Sequence, residues 1–563
     1  MTQIPVISPD LQNKTTVYAA DFGFSPANED NAPALARAIE HCRETDAGTL
    51  RLAPGVYRIK NTDFLTIRDR ENFALDGCGA ELISETSYFF MVQNCRQVLL
   101  ENLTLDVDWN ILRPASLARV ISREDFDLEL EFLDDDHPSL DFDICSFNPF
   151  DPIWLTPGVP GDPEIWVHPE EFSVLGRGEA DNRIRLRCTA KGVETMRPGA
   201  FYLVRHLRQR RGAAFFVQDS RHITLQNNCV YSTWGMTHMV NGQSSHILFD
   251  GEIIRIRPGS RRHISTDGDG IHIIRSQGYL QIQNCDFSGM GDDDVNIHDC
   301  NMLILRRLGS HTLLLENEGA GDPGDRLELL NKDFSPSGVS LTLRAVTQQE
   351  DGRYCLEIEE ELPDWIEEGH LLLNRHYASD HFVIRNNYFH DHRARGLLLQ
   401  TKEGLVENNL FRRTQGAGIY IMLETLRGLW YEGTGAGQLV IRNNRLEECN
   451  CGGWTTAVDM MAILPDNTSG YTPFSDIRLE NNTIRVTQLP AAWLGCCDGV
   501  TFTGNALEAP PTEEMPAVVC ERCRNENLSG NLFCGVPLAV DAVRRTQDVR
   551  ERNRLQQYSD FVY

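Results

Sequence analysis

The segment STDGDGIHIIRSQGYLQIQNCDFSGMGDDDVNIHD, residues 265–299, gathers Asp267 and Asp269 in one cluster and Asp292, Asp293 and Asp294 in another, with a strand-like run between them. Carboxylates placed this close raise one another's pKa until one keeps its proton near neutrality while a neighbour stays ionised. An acid and a base then stand side by side. A protonated carboxyl that donates to a leaving glycosidic oxygen, next to an ionised one that activates water, is what hydrolysis of a glycoside requires. Calcium is the competing use. DGDG resembles the start of an EF-hand loop, but that loop needs Asp or Asn at its fifth position and Gly at its sixth, where this chain has Ile271 and His272, and its twelfth residue is Gly278. An irregular calcium site and solvated turn aspartates remain as alternatives. Clustering in one column favours chemistry, so no metal and no cofactor are expected.

The elements that position these residues form a repeat. Short strands ending in an Asn-containing turn recur as LENLTL, LQNNCVY, IQNCDF, IRNNYF, VENNLF, IRNNRL, LENNTI, FTGNAL and LSGNLF between residues 100 and 533, and Asn387 lies 22 residues before Asn409. A period in the low twenties, made of β segments and polar turns without intervening helices, indicates an all-β parallel solenoid whose coils bury their apolar faces on one another. The repeated asparagines are expected to form a ladder inside one corner. Residues 21–42 run from a DFG turn into an amphipathic helix around 32–42, which suits a cap over the first coil.

Aligning DGIHI with DVNIH by their inward apolar residues sets Ile271 beside Val295 and Ile273 beside Ile297, which puts Asp269 in the column of Asp293. ARGLLLQT then places Leu397 and Leu399 in the apolar columns and Arg395 in the carboxylate column, and GAGIYIM follows with Ile419 and Ile421. Stacked strands lie about 4.8 Å apart, so Asp269, Asp292 and Asp293 share one patch. Two segments break the period. Residues 115–205 and 300–378 contain alternating strands such as RIRLRC, HTLLLE, VSLTLRAV and YCLEIEEEL, and read as two inserted antiparallel β modules. The expected division is therefore 1–114 for the cap and first coils, 115–205 for the first module, 206–299 for the central coils, 300–378 for the second module, and 379–563 for the later coils and tail. The acidic block 132–152 reads as a solvated loop, and Arg205, Arg208, Arg210 and Arg211 as a solvated or inter-module face.

Composition restricts the partners. Lys and Arg total 53 against 81 Asp and Glu, a net charge of −28, which argues against nucleic acid, an anionic membrane or an acidic polymer. No apolar run approaches the roughly 20 residues of a membrane span. The start MTQIPVISPD has neither the basic segment nor the apolar core of a signal peptide, so the chain as it stands reads as cytoplasmic, with export following only if it has been trimmed. Sixteen cysteines are scattered, and the close groupings at Cys449 and Cys451, Cys496 and Cys497, and Cys520 and Cys523 lack the second half of a zinc site. Buried reduced thiols are expected. Exposed strand edges and projecting modules are compatible with a homodimer.

The runs GQSSHILFDGEIIRIRPGSRRHISTDGDGIHI, GDDDVNIH, RARGLLLQTKEGLVENNLF and GAGIYIMLETLRGLWYEGTGAGQLVIRNN together resemble glycoside hydrolase family 110, from the DFG turn to about residue 485. The resemblance implies a right-handed parallel β-helix with two inserted β-barrel-like modules, acting as an inverting α-galactosidase on terminal α-1,3-linked galactose, as on blood group B and linear α-galactosyl structures. It also implies catalytic carboxylates at Asp269, from DGIH, and at Asp292 and Asp293, from GDD. Asp292 is assigned as the acid, and Asp269 with Asp293 as the group that positions and deprotonates water. Asp267 and Asp294 are additional carboxylates of undefined role. His272, His298, Arg395, Gln400, Glu424 and Trp430 are the candidate substrate-binding residues, Trp430 for an aromatic face and Glu424 for a bidentate hydroxyl contact. A polygalacturonase-like hydrolase is the alternative enzyme: STDG and the double Asp echo that family, but no GHG motif occurs and the RIK at 58–60 precedes the aspartates. A non-catalytic glycan-binding solenoid is the alternative of another class.

Overall fold

The structure is a computed structural model that describes residues 3–111, 113–208, 211–317, 321–509, 516–534 and 543–546. Arg210 and most of the C-terminal tail lie outside the described residues. The body is a right-handed parallel β-helix in which each coil carries three short strands. The coil Met236–Asn241, Ser245–Asp250 and Ile253–Ile254 is followed by Ile271–Ile274, Leu280–Gln283 and Asp286–Ser288. Twelve first strands of successive coils pair in parallel, with Trp430–Glu432 added antiparallel to make one sheet of 13, and the second and third strands stack into a sheet of 22 that bends at the asparagine turn.

That bend follows from two adjacent residues. The first of each pair, such as Asn227, Asn284, Asn386, Asn408, Asn443 or Asn481, has positive φ, which Asn tolerates better than other side-chain-bearing residues. The second turns inward. Asn387 donates from its backbone and side-chain nitrogens to Asn409 Oδ1 at 3.0 and 2.9 Å, and Asn409, Asn444, Asn482 and Asn505 repeat the pattern as far as Asn531. Each side-chain amide also donates to a strand carbonyl, as Asn409 does to Ile384. A polar corner inside an apolar core is stable only when satisfied in this way. The expected ladder is present.

Register agrees with the apolar alignment. Ile271 pairs with Val295, Val295 with Leu397 and Leu397 with Ile419, and all four are fully buried. The helix Ala32–Glu44 lays Ala34, Leu35, Ala38, Ile39 and Cys42 over the first coils. All sixteen cysteines are free thiols, Cys534 alone being exposed.

Both modules are antiparallel with their own cores. The first inserts eight strands between the turn before Ala115–Glu124 and the end of Phe201–Arg205, packed around Leu130, Phe132, Phe147, Ile184, Leu186 and Tyr202. The second is a closed six-stranded barrel, from Asn301–Arg307 to Leu371–Asn374, filled by Ile304, Leu315, Leu329, Leu341 and Leu356. The acidic block is not wholly a loop. Ser146–Asp151 is a strand buried on both faces, with Phe147 and Phe150 almost inaccessible, so it lacks the alternation that marks a one-sided strand. Nor is the basic run solvated throughout: Arg205 is 2% exposed and Arg208 pairs with Asp143, while Arg211 is exposed.

Candidate active site

The first module is inserted in the turn that precedes the 13-stranded sheet, and the barrel in the turn that follows a strand of that sheet. The aspartates lie on the preceding side, at the start of Ile271–Ile274 and Val295–His298. Glycine is required between them. A Cβ on Gly270 would stand 2.6 Å from Asp294 O, and one on Gly291 would stand 2.6 Å from Asp267 O, so the turns approach more closely than side chains permit.

Asp269, Asp292 and Asp293 each present an oxygen within 4.8 Å of the others. Each is held differently. Asp269 contacts His272 Nδ1 at 2.7 Å and accepts from the Asp293 backbone N–H at 3.2 Å. Asp293 accepts from the backbone N–H and Nε of Arg395, both at 2.8 Å, and from its Nη2 at 2.7 Å. Asp292 accepts from Arg393 Nη1 at 3.1 Å and is the most open, with 14% side-chain exposure against 4% and 1% for Asp269 and Asp293. Burial pushes the Asp293 carboxyl up to about 7, against the pull of Arg395 and with the help of the neighbouring Asp292 charge. The three-carboxylate spacing also suits a hard cation with oxygen ligands. Arg393 and Arg395 already bring two positive charges to two of the three carboxylates, which reduces the demand for one.

The other candidates distribute around this cluster. His298 is buried and its Nε2 lies 3.3 Å from Nε2 of His272; burial lowers its pKa. Gln400 is buried and donates to Glu432 at 3.4 Å. Glu424 is 4% exposed, and burial with the Glu432 charge raises its carboxyl to about 8 although Arg395 opposes this. Trp430 stands on the short strand Trp430–Glu432 opposite Leu426, half-buried, two residues from Glu432.

Asp267 and Asp294 have partners. Asp267 accepts from Arg205 Nη2 and Nε at 2.8 and 3.2 Å, which ties the last strand of the first module to the aspartate turn. Asp294 lies 2.6 Å from His392 Nε2, close in distance although not aligned as a hydrogen bond, and both side chains are fully inaccessible.

Several residues of the site were missed in the sequence. Arg393, besides holding Asp292, donates from Nε and Nη2 to Glu164 at 2.8 and 3.0 Å and faces the Trp166 ring at 5.5 Å. Burial would raise the Glu164 carboxyl, but Arg393 outweighs it and holds the group below its ordinary value. The first module therefore orients Asp292 through Arg393. Arg393 stands two residues before Arg395 in HDHRARG, and that alternation was a usable signal. Glu164 and Trp166 lie in an insertion with no period to align them.

Fold and site together define a right-handed β-helix protein with a carboxylate centre beside one inserted antiparallel module, the barrel being inserted at the other end of the same sheet. A family model described as a right handed beta helix region matches residues 351–468. Over 92% of its length the chain is 24% identical to a Bacteroides thetaiotaomicron protein named alpha-1,3-galactosidase B, covering 91% of that protein. It is also 24% identical to alpha-1,3-galactosidase A of Bacteroides fragilis, covering 93% of both chains, and 23% identical to alpha-1,3-galactosidase B of Akkermansia muciniphila over 87% of this chain and 66% of that one. Among solved structures, the surface adhesin PfbA of Streptococcus pneumoniae overlaps with a TM-score of 0.43 at 12% identity, over 93% of this chain and 91% of the adhesin. Overlap that loose says nothing of function. The relatives support a glycoside hydrolase.

Proposed function

We propose that this chain hydrolyses terminal α-1,3-linked galactosides with inversion, and that Asp292, Asp269 and Asp293 carry the reaction. The observation that supports the reading is the meeting of three differently held carboxylates on two adjacent coils, Asp292 the most open and Asp293, on the water side, raised to about 7. Asp292, the most open, donates its proton to the glycosidic oxygen. The C1–O bond breaks with its electron pair going to that oxygen, while water adds to C1 from the opposite face and passes a proton to Asp269 with Asp293. The oxygens of Asp269 and Asp293 lie within 4.8 Å of each other, so these two can share that water with legs of about 2.7–2.8 Å. His272 orients Asp269, and Arg395 fixes Asp293. Gln400, His298 and the Glu424 carboxyl supply donors and acceptors for galactose hydroxyls.

The test is galactose release from the blood group B trisaccharide, linear Galα1-3Gal, an α-1,4 or α-1,6 galactoside and polygalacturonate, with wild type and Asp292→Asn. Release from the α-1,3 substrates alone is expected, with the β-anomer first in the NMR spectrum. Turnover should fall about 1,000-fold in the variant. Cleavage of polygalacturonate would replace the reading with the alternative hydrolase. Silence across the panel with retained sugar binding would make the chain a binder.

A further inference from the structure

The asparagine ladder is interrupted at the coil that precedes the aspartates. Where the repeat calls for an inward asparagine after Gly251, the chain has Glu252, which is fully buried. Its Oε1 fills the missing rung by accepting from the backbone N–H and Nδ2 of Asn228 at 3.1 and 3.0 Å. Its other oxygen reaches His238 Nε2 at 2.8 Å, and His238 Nδ1 meets the carbonyl of Gly270, the residue after Asp269, at 2.9 Å. The backbone N–H of His238 donates to the same carbonyl at 2.9 Å.

The protonation follows from the partners. A carbonyl only accepts, so Nδ1 carries a hydrogen. Asn228 already donates twice to Oε1, so the 2.8 Å contact between Nε2 and Oε2 holds the one remaining proton. The unit is neutral as a whole, as its surroundings require: the imidazole stacks on Phe215 at 5.4 Å and 11° and on Phe287 at 6.3 Å and 16°, with Phe249 edge-on at 5.4 Å. An ion or an unsatisfied nitrogen there would be costly. A buried network that is fully satisfied at the histidine is rigid, and its far end is the carbonyl of Gly270, next to Asp269. A second buried histidine also grips a backbone carbonyl next to the site. His392 gives Nδ1 to the carbonyl of Arg393, the residue that holds Asp292, at 2.7 Å, while its Nε2 faces Asp294.

We propose that Asn228, Glu252 and His238 form a positioning relay that spends one rung of the ladder to fix the carbonyl of Gly270 and so the attack geometry of Asp269. The kinetic arm of its test rests on the galactosidase reading. In the double variant His238→Leu with Glu252→Asn, leucine suits the phenylalanine cage and asparagine restores the ordinary rung, leaving no buried charge. It should fold with an unchanged melting temperature to within a few degrees, yet lose about 30-fold or more in kcat on Galα1-3Gal with KM within threefold. Glu252→Gln, whose amide can accept from Asn228 and donate to Nε2 of the ring, should stay within threefold of wild type. A folded double variant with wild-type kcat would overturn the relay, as would a loss in Glu252→Gln equal to that in the double variant. Should the double variant fail to fold, His238→Gln, too short to grip Glu252 and Gly270 together, is read the same way. Crystal structures separate the two readings: if wild type releases no galactose the galactosidase reading fails, while a shift of about 0.5 Å or more in the Asp269–Gly270 main chain still supports the relay and an unmoved main chain rejects it.

Discussion

The coils from Asn387 to Asn531 and those from Asn228 to Cys285 share one repeat but fill its corner differently. In the later coils every rung is asparagine, each satisfying the one before it. In the earlier coils Glu252 and Cys285 take the places of two rungs, Glu252 turning its second oxygen away toward His238 while Cys285 donates its backbone N–H to Asn387 and its thiol to the Gln283 carbonyl. The regular stretch carries none of the catalytic aspartates, whereas the irregular stretch leads directly into them. A solenoid gains stability by repeating a satisfied unit, so departures from the unit are where selection has spent stability on something else.

The largest break in that comparison should come from outside the repeat. Glu164→Gln removes the charge that the first module presents to Arg393, and with it one of the two bonds that hold the guanidinium against Asp292. We expect kcat to fall about 10- to 100-fold with a small change in KM, measured on the same α-1,3 galactoside. An unchanged kcat would mean that Arg393 needs no help from the module.

The complementary experiment breaks the regular side. Asn444→Ala deletes an acceptor for two donors of Asn409 and a donor to Val406 and Asn482, all in the interior. Leaving those groups unpaired should cost on the order of 3 kcal/mol, read as a lower denaturant midpoint, while kcat stays at the wild-type value. Equal losses of activity in Asn444→Ala and Glu164→Gln would dissolve the distinction between structural and site-forming coils.

How much of this was visible in the sequence depends on what the period reaches. Apolar alternation was enough to place Asp269, Asp293 and Arg395 in one column, because a one-residue slip would have turned Ile271 and Val295 to solvent. The NN turns announced the ladder because both residues are constrained, the first by positive φ and the second by its inward amide. Glu164 and Trp166 were not legible, since an insertion shares no register with the coils it leans on. Arg205 was misread because a run of arginines looks solvated until a buried carboxylate such as Asp267 is found opposite it. Glu252 could have been found: FDGEII stands where its neighbours read RNNYF or ENNLF, and a carboxylate in place of an inward amide needs a partner.

A further effect is one of pH, and it tests whether burial beside the regular coils keeps Glu424 protonated. Glu424 is held up to about 8 by burial and by Glu432, from an ordinary value of 4.5. The folded protein therefore binds a proton that the unfolded chain releases between those values. This contribution to stability is complete below about pH 4.5 and is lost as pH rises through 8. Glu424→Gln imitates the protonated group at every pH, so the stability difference between variant and wild type should widen from pH 5 to pH 8.5 in favour of the variant. Asp293 and Asp294, raised to about 7 and about 6, are present in both proteins, and the Asp293 charge adds to the rise at Glu424. Denaturant midpoints at four or five pH values suffice to read it. A flat difference would mean that Glu424 ionises freely despite its burial, and that water or a cation reaches it beside Glu432.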